Sequence, residues 1–296
     1  MDTRRRRAAL LAVSALLLSG CALAPAPPGG ARSGDRVVFA AIGDTPYNPP
    51  DEIALRRHLR ALAGEEAAFL VHLGDIKPSG PNAPCVEAPY RKAAEILGAS
   101  PKPVFIVPGD NEWNDCADPD RAWSHWSRHF LRFEERWGRR FGVRRQKGRP
   151  ENFAFRLGGV LFVGINLVGD RVHDPAEWRR RHAGNLAWVR ENFGRSRGVH
   201  SAVLFAQYGA RSPAPVYWDF FNGLAGAARA FGRPILFLHG HFHFRLRQDG
   251  FLVPNMTRAM VASGSAPPEI ITVTGDPAGP FRFARGRLPP IRVLGH

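Results

Sequence analysis

From Arg36 onward, apolar residues fall in short blocks separated by amphipathic stretches. The blocks are Val37–Ile42, 69–73, 104–107, 160–167, 202–205 and 235–238. They are rich in β-branched and aromatic residues and bounded by Gly or Pro, which predicts buried strands. The stretches between them have helical spacing. Leu55, Leu59 and Leu62 share a face ahead of Gly64, and Pro89 and Gly98 stand where a helix begins and ends. Trp123, Trp126, Phe130, Phe133 and Trp137 recur at helical steps and predict one long aromatic face for core packing. Leu186, Val189 and Phe193 mark a further helix. One pair of runs breaks the alternation: 153–157 and 160–167 are joined by Gly158-Gly159, a hairpin signature, so the sheet system is mixed. After His243 the helical patterns stop, and Glu269–Val273 and 281–283 read as strands. Residues 141–151 are polar and basic and read as a surface loop, either a solvated charge run or the rim of an anion-binding cleft. The class is α/β, with no internal repeat and no second domain boundary.

Composition supports one large core: 296 residues, 44% hydrophobic and 23% charged. The net charge is +15, of which the first twenty residues carry +3. That surplus attracts phosphorylated ligands or anionic membranes. Basic character comes from arginine, with lysine confined to Lys77, Lys92, Lys102 and Lys147. No nucleic-acid-binding fingerprint accompanies the charge, so specific nucleic-acid binding is not expected.

The N-terminus reads as an address. Arg4 to Arg7 precede an apolar run, 8–18, too short to span a bilayer as a helix. It ends in Leu18-Ser19-Gly20-Cys21, which resembles the lipobox of bacterial lipoproteins. That resemblance implies a signal peptide over 1–20, lipidation of Cys21, and a Pro/Gly/Ala-rich tether over 21–35. The folded domain is then 36–296, exported and membrane-anchored, facing the periplasm or the cell exterior. With Cys21 lipidated, Cys85 and Cys116 remain as an even pair. In an exported chain the pair suggests a disulfide worth about 3–4 kcal/mol by the chain-entropy argument; the alternative is two buried thiols.

The candidate chemistry follows the apolar runs. Gly43-Asp44-Thr45-Pro46-Tyr47, Gly74-Asp75-Ile76-Lys77, Gly109-Asp110-Asn111-Glu112 and His239-Gly240-His241-Phe242-His243 each stand after a predicted strand. Open α/β sheets build sites at the carboxyl ends of strands, where side chains from separate strands converge. A lone Gly-Asp is an ordinary turn pair, as at Gly169-Asp170 and Gly275-Asp276. Three at strand ends, followed by Gly-His-x-His, read as metal ligands.

The order of these blocks resembles the calcineurin-like metallophosphoesterase family over residues 37–243. The resemblance implies a four-layer αββα sandwich of two mixed β-sheets. It implies two divalent ions, Mn, Fe or Zn. Asp44 and His243 would hold the first, Asp75 would bridge, and Asn111 and His241 would hold the second. Glu112 is implied as a general acid near the leaving group, with a structural carboxylate as the alternative. Asp110 would orient the neighbouring catalytic group. Two such ions outweigh the charges of Asp44, Asp75 and a bridging hydroxide, leaving a positive surplus to receive a phosphate.

The sequence departs from that family at two positions. Pro46 and Gln207 stand where histidine ligands are expected. Tyr47 is a candidate replacement ligand or a cleft residue, and Gln207 a weak oxygen ligand. His72 reads as buried behind the site, and His239 is open to either reading. With fewer ligands, one ion is an alternative to two. The implied activity is hydrolysis of a phosphate mono- or diester on a small molecule or envelope component by a metal-held hydroxide. The alternative is a non-catalytic lipoprotein of the same fold that binds an anionic or phosphorylated envelope component.

Overall fold

The computed structural model describes residues 36–286 except 81, 170 and 210–213. The signal peptide, Cys21 and the whole of the tether expected from the sequence lie outside the described residues. In chain order the first half comprises β1 (Val37–Ile42), α1 (Pro49–Ala61), β2 (Leu70–His72), α2 (Glu87–Gly98), β3 (Val104–Ile106), α3 (Pro119–Phe130), β4 (Arg144–Gln146), β5 (Arg149–Leu157) and β6 (Val160–Gly164). It continues with α4 (Pro175–Gly194), β7 (Ser201–Phe205), α5 (Trp218–Phe231), β8 (Ile235–His239), β9 (Leu246–Gln248), β10 (Met256–Met260), β11 (Glu269–Val273) and β12 (Phe281–Arg285).

Two mixed sheets result. One has the order β12-β11-β1-β2-β3 and the other β4-β5-β6-β7-β8-β10-β9. Strands β1, β2 and β3 run parallel, as do β6, β7, β8 and β10. The period of two along each strand builds the layers. On β1, Val37, Phe39 and Ala41 face the other sheet, while Val38, Ala40 and Ile42 face helices. On β7, Val203 and Phe205 point between the sheets, while Ala202 and Leu204 point to α4 and α5. The layers are therefore helices α1 to α3, two sheets, and helices α4 and α5. The inter-sheet core is aromatic: Phe105 and Phe155 stack at 4.4 Å, and Phe69 meets Phe162 edge-on at 5.2 Å. Such pairs add about 0.5–1.5 kcal/mol each beyond area burial.

Local signals explain several boundaries. Asn48 caps α1 by accepting from the Asp51 backbone N–H, ahead of Pro49 and Pro50. Gly158 and Gly159 both have positive φ and close the β5–β6 hairpin with Leu157 opposite Val160.

Two expectations need correction. Residues 141–151 are not a loop throughout, because Arg144–Gln146 pairs with β5. The arginines hide the strand pattern: Arg145 lays its guanidinium over Phe153 at 5.3 Å and pairs with Glu134, so a charged residue covers apolar surface. The aromatic face is also not one helix. α3 ends at Phe130, Arg132 takes φ 60°, and a separate turn, Phe133–Trp137, carries the remaining rings. Trp126, Phe130 and Phe133 still share one core, because the bend keeps them on the same side. Strands β9 and β10 arise where the chain shows no clear alternation of apolar and polar residues.

Candidate metal centre

The loops after β1, β2, β3, β7 and β8 meet at one edge of the two sheets. The first sheet supplies Asp44, Asp75 and Asp110; the second supplies Gln207, His241 and His243. The three aspartates and Gln207 are buried, Gln207 and Asp44 completely so, while His241 is half-buried and His243 exposed. The backbone is bent to make this happen. Asp44, Asp75, His241 and His243 have φ of 54°, 61°, 79° and 64°, a region that side chains other than glycine rarely adopt. Strain of this kind persists where surrounding structure over-determines it, and it gathers at functional sites. Neighbouring glycines make room. A Cβ at Gly240 would collide with the Asp44 carboxylate, and one at Gly109 with that of Asp75.

Two ligand groups emerge. Oxygens of Asp44 and Asp75 and a nitrogen of His243 lie within 4.8 Å of one another, as do those of Asp75, Asp110 and His241. Asp75 belongs to both. The Asp44 carboxylate accepts the His241 backbone N–H at 2.8 Å through Oδ1, while its buried Oδ2 accepts no hydrogen bond among the described residues. Asp75 Oδ1 accepts the Asn111 N–H at 3.2 Å. The Tyr47 hydroxyl lies 3.4 Å from both Asp75 Oδ2 and His243 Nε2, at the mouth of the first group.

Electrostatics show what this arrangement lacks. Asp44, Asp75, Asp110 and Glu112 crowd together away from water. Burial pushes Asp44 up to about 7. Burial, followed by the charges of Asp110, Glu112 and Asp44, drives Asp75 far above the ordinary carboxylate range. At Asp110 burial opposes ionisation, but the hydrogen bond and charge of His241 outweigh it and hold the group low. Lys77 does not neutralise the cluster at close range, since its ammonium donates to the carbonyls of Pro78 and Asn111 at 2.7 and 2.9 Å. Burial also lowers Lys77 itself. Buried carboxylates without a matching cation are costly. The orphaned Asp44 oxygen, the shared Asp75 and the exposed flank at His243 fit a divalent ion in the first group.

The second group is different. The Gln207 amide nitrogen stands 3.1 Å from Asp75 Oδ2, 2.9 Å from Asp110 Oδ1 and 2.8 Å from His241 Nδ1. Its oxygen accepts the Gly169 backbone N–H at 2.9 Å.

Several expected roles change in consequence. The Asp110 carboxylate, rather than the Asn111 carboxamide, faces Asp75 and His241, with Oδ2 3.2 Å from His241 Nδ1. The Asn111 amide instead donates to the Tyr47 hydroxyl and the Lys77 carbonyl, both at 3.1 Å. With three aspartates at the centre, the positive surplus expected from two ions and a hydroxide disappears. Glu112, a candidate general acid, is fully buried and accepts backbone N–H groups of Gly109, Asp75 and Ile76 at 2.6, 3.2 and 3.3 Å. It braces the loops that carry Asp75 and Asp110 and faces no open space; burial raises it to about 8. His72 lies behind the site, bonded to the Thr45 carbonyl at 2.8 Å and held neutral by burial, which lowers it to about 4. His239 is likewise buried, 2.9 Å from the Gly240 carbonyl, and lowered to about 3. Cys85 and Cys116 form a disulfide that ties the segment before α2 to the end of the Asp110–Asn114 turn.

One contributor is not evident from its local sequence. Gly169 reads as a turn residue, yet its N–H fixes Gln207, and a Cβ there would collide with His241 and Asp110. Its position after β6, level with the other strand ends, was the available signal.

Comparison with known proteins agrees with this architecture. The family model for calcineurin-like phosphoesterase matches residues 37–243. No curated protein matches the sequence. Among solved structures, a dimetal phosphatase from Danio rerio superposes with a TM-score of 0.56 at 13% identity, covering 85% of this chain and 99% of its own. GAP50, described as the anchor in the inner membrane complex of Plasmodium, superposes at 0.53 with 12% identity, covering 86% and 89%. A 5'-nucleotidase from Candida albicans superposes at 0.51 with 16% identity, covering 87% of this chain and 52% of the nucleotidase. At these identities the likeness is one of fold.

Proposed function

This chain belongs to the calcineurin-like phosphoesterase family, and we propose that it is a metal-dependent hydrolase of phosphate mono- or diesters held at the cell envelope. The observation that carries the reading is the first ligand group, where Asp44, Asp75 and His243 converge and a buried Asp44 oxygen lacks a partner among the described residues. A divalent ion bound there supplies Lewis acidity and an acidified water.

The chain's own residues prepare the site for it. The His241 N–H orients Asp44, the Asn111 N–H orients Asp75, and Glu112 locks the two loops behind them. His243 stands on the half-exposed side, from which a phosphate approaches. Beside Tyr47 and Lys77 lies a cavity of about 350 Å³, walled by Pro46, Ile76, Pro84 and Pro89, with room for an apolar part of the leaving group. The envelope location rests on the Arg-rich leader and Cys21, with the Pro/Gly-rich segment as a tether. Two acyl chains on Cys21 would give stable anchoring, which one chain would not.

A second reading, binding of an anionic envelope component without turnover, is favoured by the Gln207 amide in the second ligand group. One experiment separates the two: purified chain is assayed with p-nitrophenyl phosphate and bis-p-nitrophenyl phosphate in added Mn²⁺ or Zn²⁺, beside Asp75→Asn. Metal-dependent turnover abolished by the substitution supports the hydrolase. Absence of turnover with metal demonstrably bound leaves the binding protein.

A further inference from the structure

The family resemblance calls for two ions, and one of the two ligand groups does not offer an open position. The Gln207 amide nitrogen is within hydrogen-bond distance of Asp75 Oδ2, Asp110 Oδ1 and His241 Nδ1, at 3.1, 2.9 and 2.8 Å. Those three residues are the ones whose ligand atoms cluster as the second group. A transition metal serving them would stand about 2.0–2.2 Å from each donor. The amide nitrogen lies among the same donors at hydrogen-bonding distance, so the ion and the amide compete for one volume.

The orientation of the amide is set by its other end. Gln207 Oε1 accepts the Gly169 backbone N–H at 2.9 Å. Turning the amide over would press its NH₂ against that N–H and its oxygen against two carboxylates. The side chain is wholly buried, and Gly169 is held in turn, its carbonyl accepting from the Asn114 amide at 3.3 Å. The loop that bears Gln207 is fixed too, because its backbone N–H donates to the Leu167 carbonyl and its carbonyl accepts from Gly240. An amide that donates to Asp75 and Asp110 partly offsets their charge, as a cation would, without being exchangeable.

We infer that this chain carries a single divalent ion, held by Asp44, Asp75 and His243, and that the Gln207 amide permanently replaces the second ion. The inference rests on the metal-site reading above and narrows it. It also makes Gln207 a positioning residue: by tying up one oxygen of Asp75, it leaves that carboxylate a ligand of one ion instead of a bridge between two.

The test counts metal and does not depend on turnover. Metal-free full-length chain is titrated with Mn²⁺, and bound metal is measured by calorimetry and elemental analysis. The expected wild-type result is one ion per chain with the paramagnetic resonance of isolated Mn²⁺. Asp44→Asn should lose that ion, and Asp110→Asn should keep it. Gln207→His should bind a second ion and give an exchange-coupled signal. Gln207→Glu, of the same shape, provides the same measurement should the histidine variant fail to fold. Two ions in the wild type would overturn the inference and leave the metallophosphoesterase reading intact. A single ion lost in Asp110→Asn but kept in Asp44→Asn would overturn it as well, by placing the ion in the other group. So would one ion in both folded Gln207 variants, which would free Gln207 of the role. No ion in the wild type would overturn the inference and the metal-site reading together.

Discussion

The backbone N–H of His241 donates to the carboxylate of Asp44 at 2.8 Å, across 197 positions of sequence and from one sheet to the other. This bond joins the first and last of the site's loops through Asp44 Oδ1, while Asp44 Oδ2 has no hydrogen-bond partner among the described residues. It predicts a difference between two substitutions. Asp44→Asn retains an oxygen for the His241 N–H, so the fold should persist while metal affinity falls by at least about 100-fold. Asp44→Ala orphans a buried N–H as well and should cost a further 1–3 kcal/mol or so of stability. Calorimetric metal titration and thermal unfolding of both variants read the two effects separately.

Removing metal should make stability depend on pH through Asp44. Burial raises this carboxyl to about 7, well above the ordinary value of an aspartate. The folded chain therefore holds the proton more tightly than the unfolded chain. The protonated-state advantage is complete below about pH 4, is lost as pH rises toward about 7, and changes little beyond. Asn mimics the protonated carboxyl at every pH. In EDTA, Asp44→Asn should therefore gain on the wild type as pH rises through this window, by up to about 4 kcal/mol. Denaturant titrations at several pH values give the difference directly, and a constant gap would contradict it.

Glu112 should behave as a brace. Glu112→Gln keeps the shape but turns an NH₂ toward one of the backbone donors at Gly109, Asp75 or Ile76. The expected loss is about 1–3 kcal/mol of stability with a reduced rate. The shape of the pH–rate profile should remain. Disappearance of one limb of that profile would instead make Glu112 an acid in the reaction.

Tyr47 touches the first ligand group through its hydroxyl, 3.4 Å from Asp75 Oδ2 and 3.1 Å from the Asn111 amide it accepts from. Burial and the nearby carboxylates raise its pKa far above the ordinary phenol value in the metal-free chain. Tyr47→Phe should weaken divalent-metal binding by about tenfold or more, the usual size of an outer hydrogen-bond contribution, with little change in melting temperature. Isothermal titration of the two proteins measures it.

The sequence by itself determined the buried strands and the address of the chemistry. The runs of β1, β7 and β8 are apolar nearly throughout, so both faces of each strand need cover, and that requirement is local and can be read without a structure. The Gly-Asp and Gly-His-x-His blocks mark strand ends because few other backbones turn so sharply there; Asp44, Asp75, His241 and His243 all carry the positive φ that this demands. Strand β4 was hidden because its arginines cover apolar surface with charged side chains, and the break at Arg132 because a left-handed residue between aromatics leaves their spacing unchanged. Tertiary structure alone decided which neighbour in Asp110-Asn111 faces Asp75 and His241, since adjacent residues on a turn diverge by an angle that no pattern records. It alone decided the role of Gln207 too. A glutamine carries a donor and an acceptor at one end, and only the Gly169 N–H, brought up from another strand, fixes which of the two meets the carboxylates.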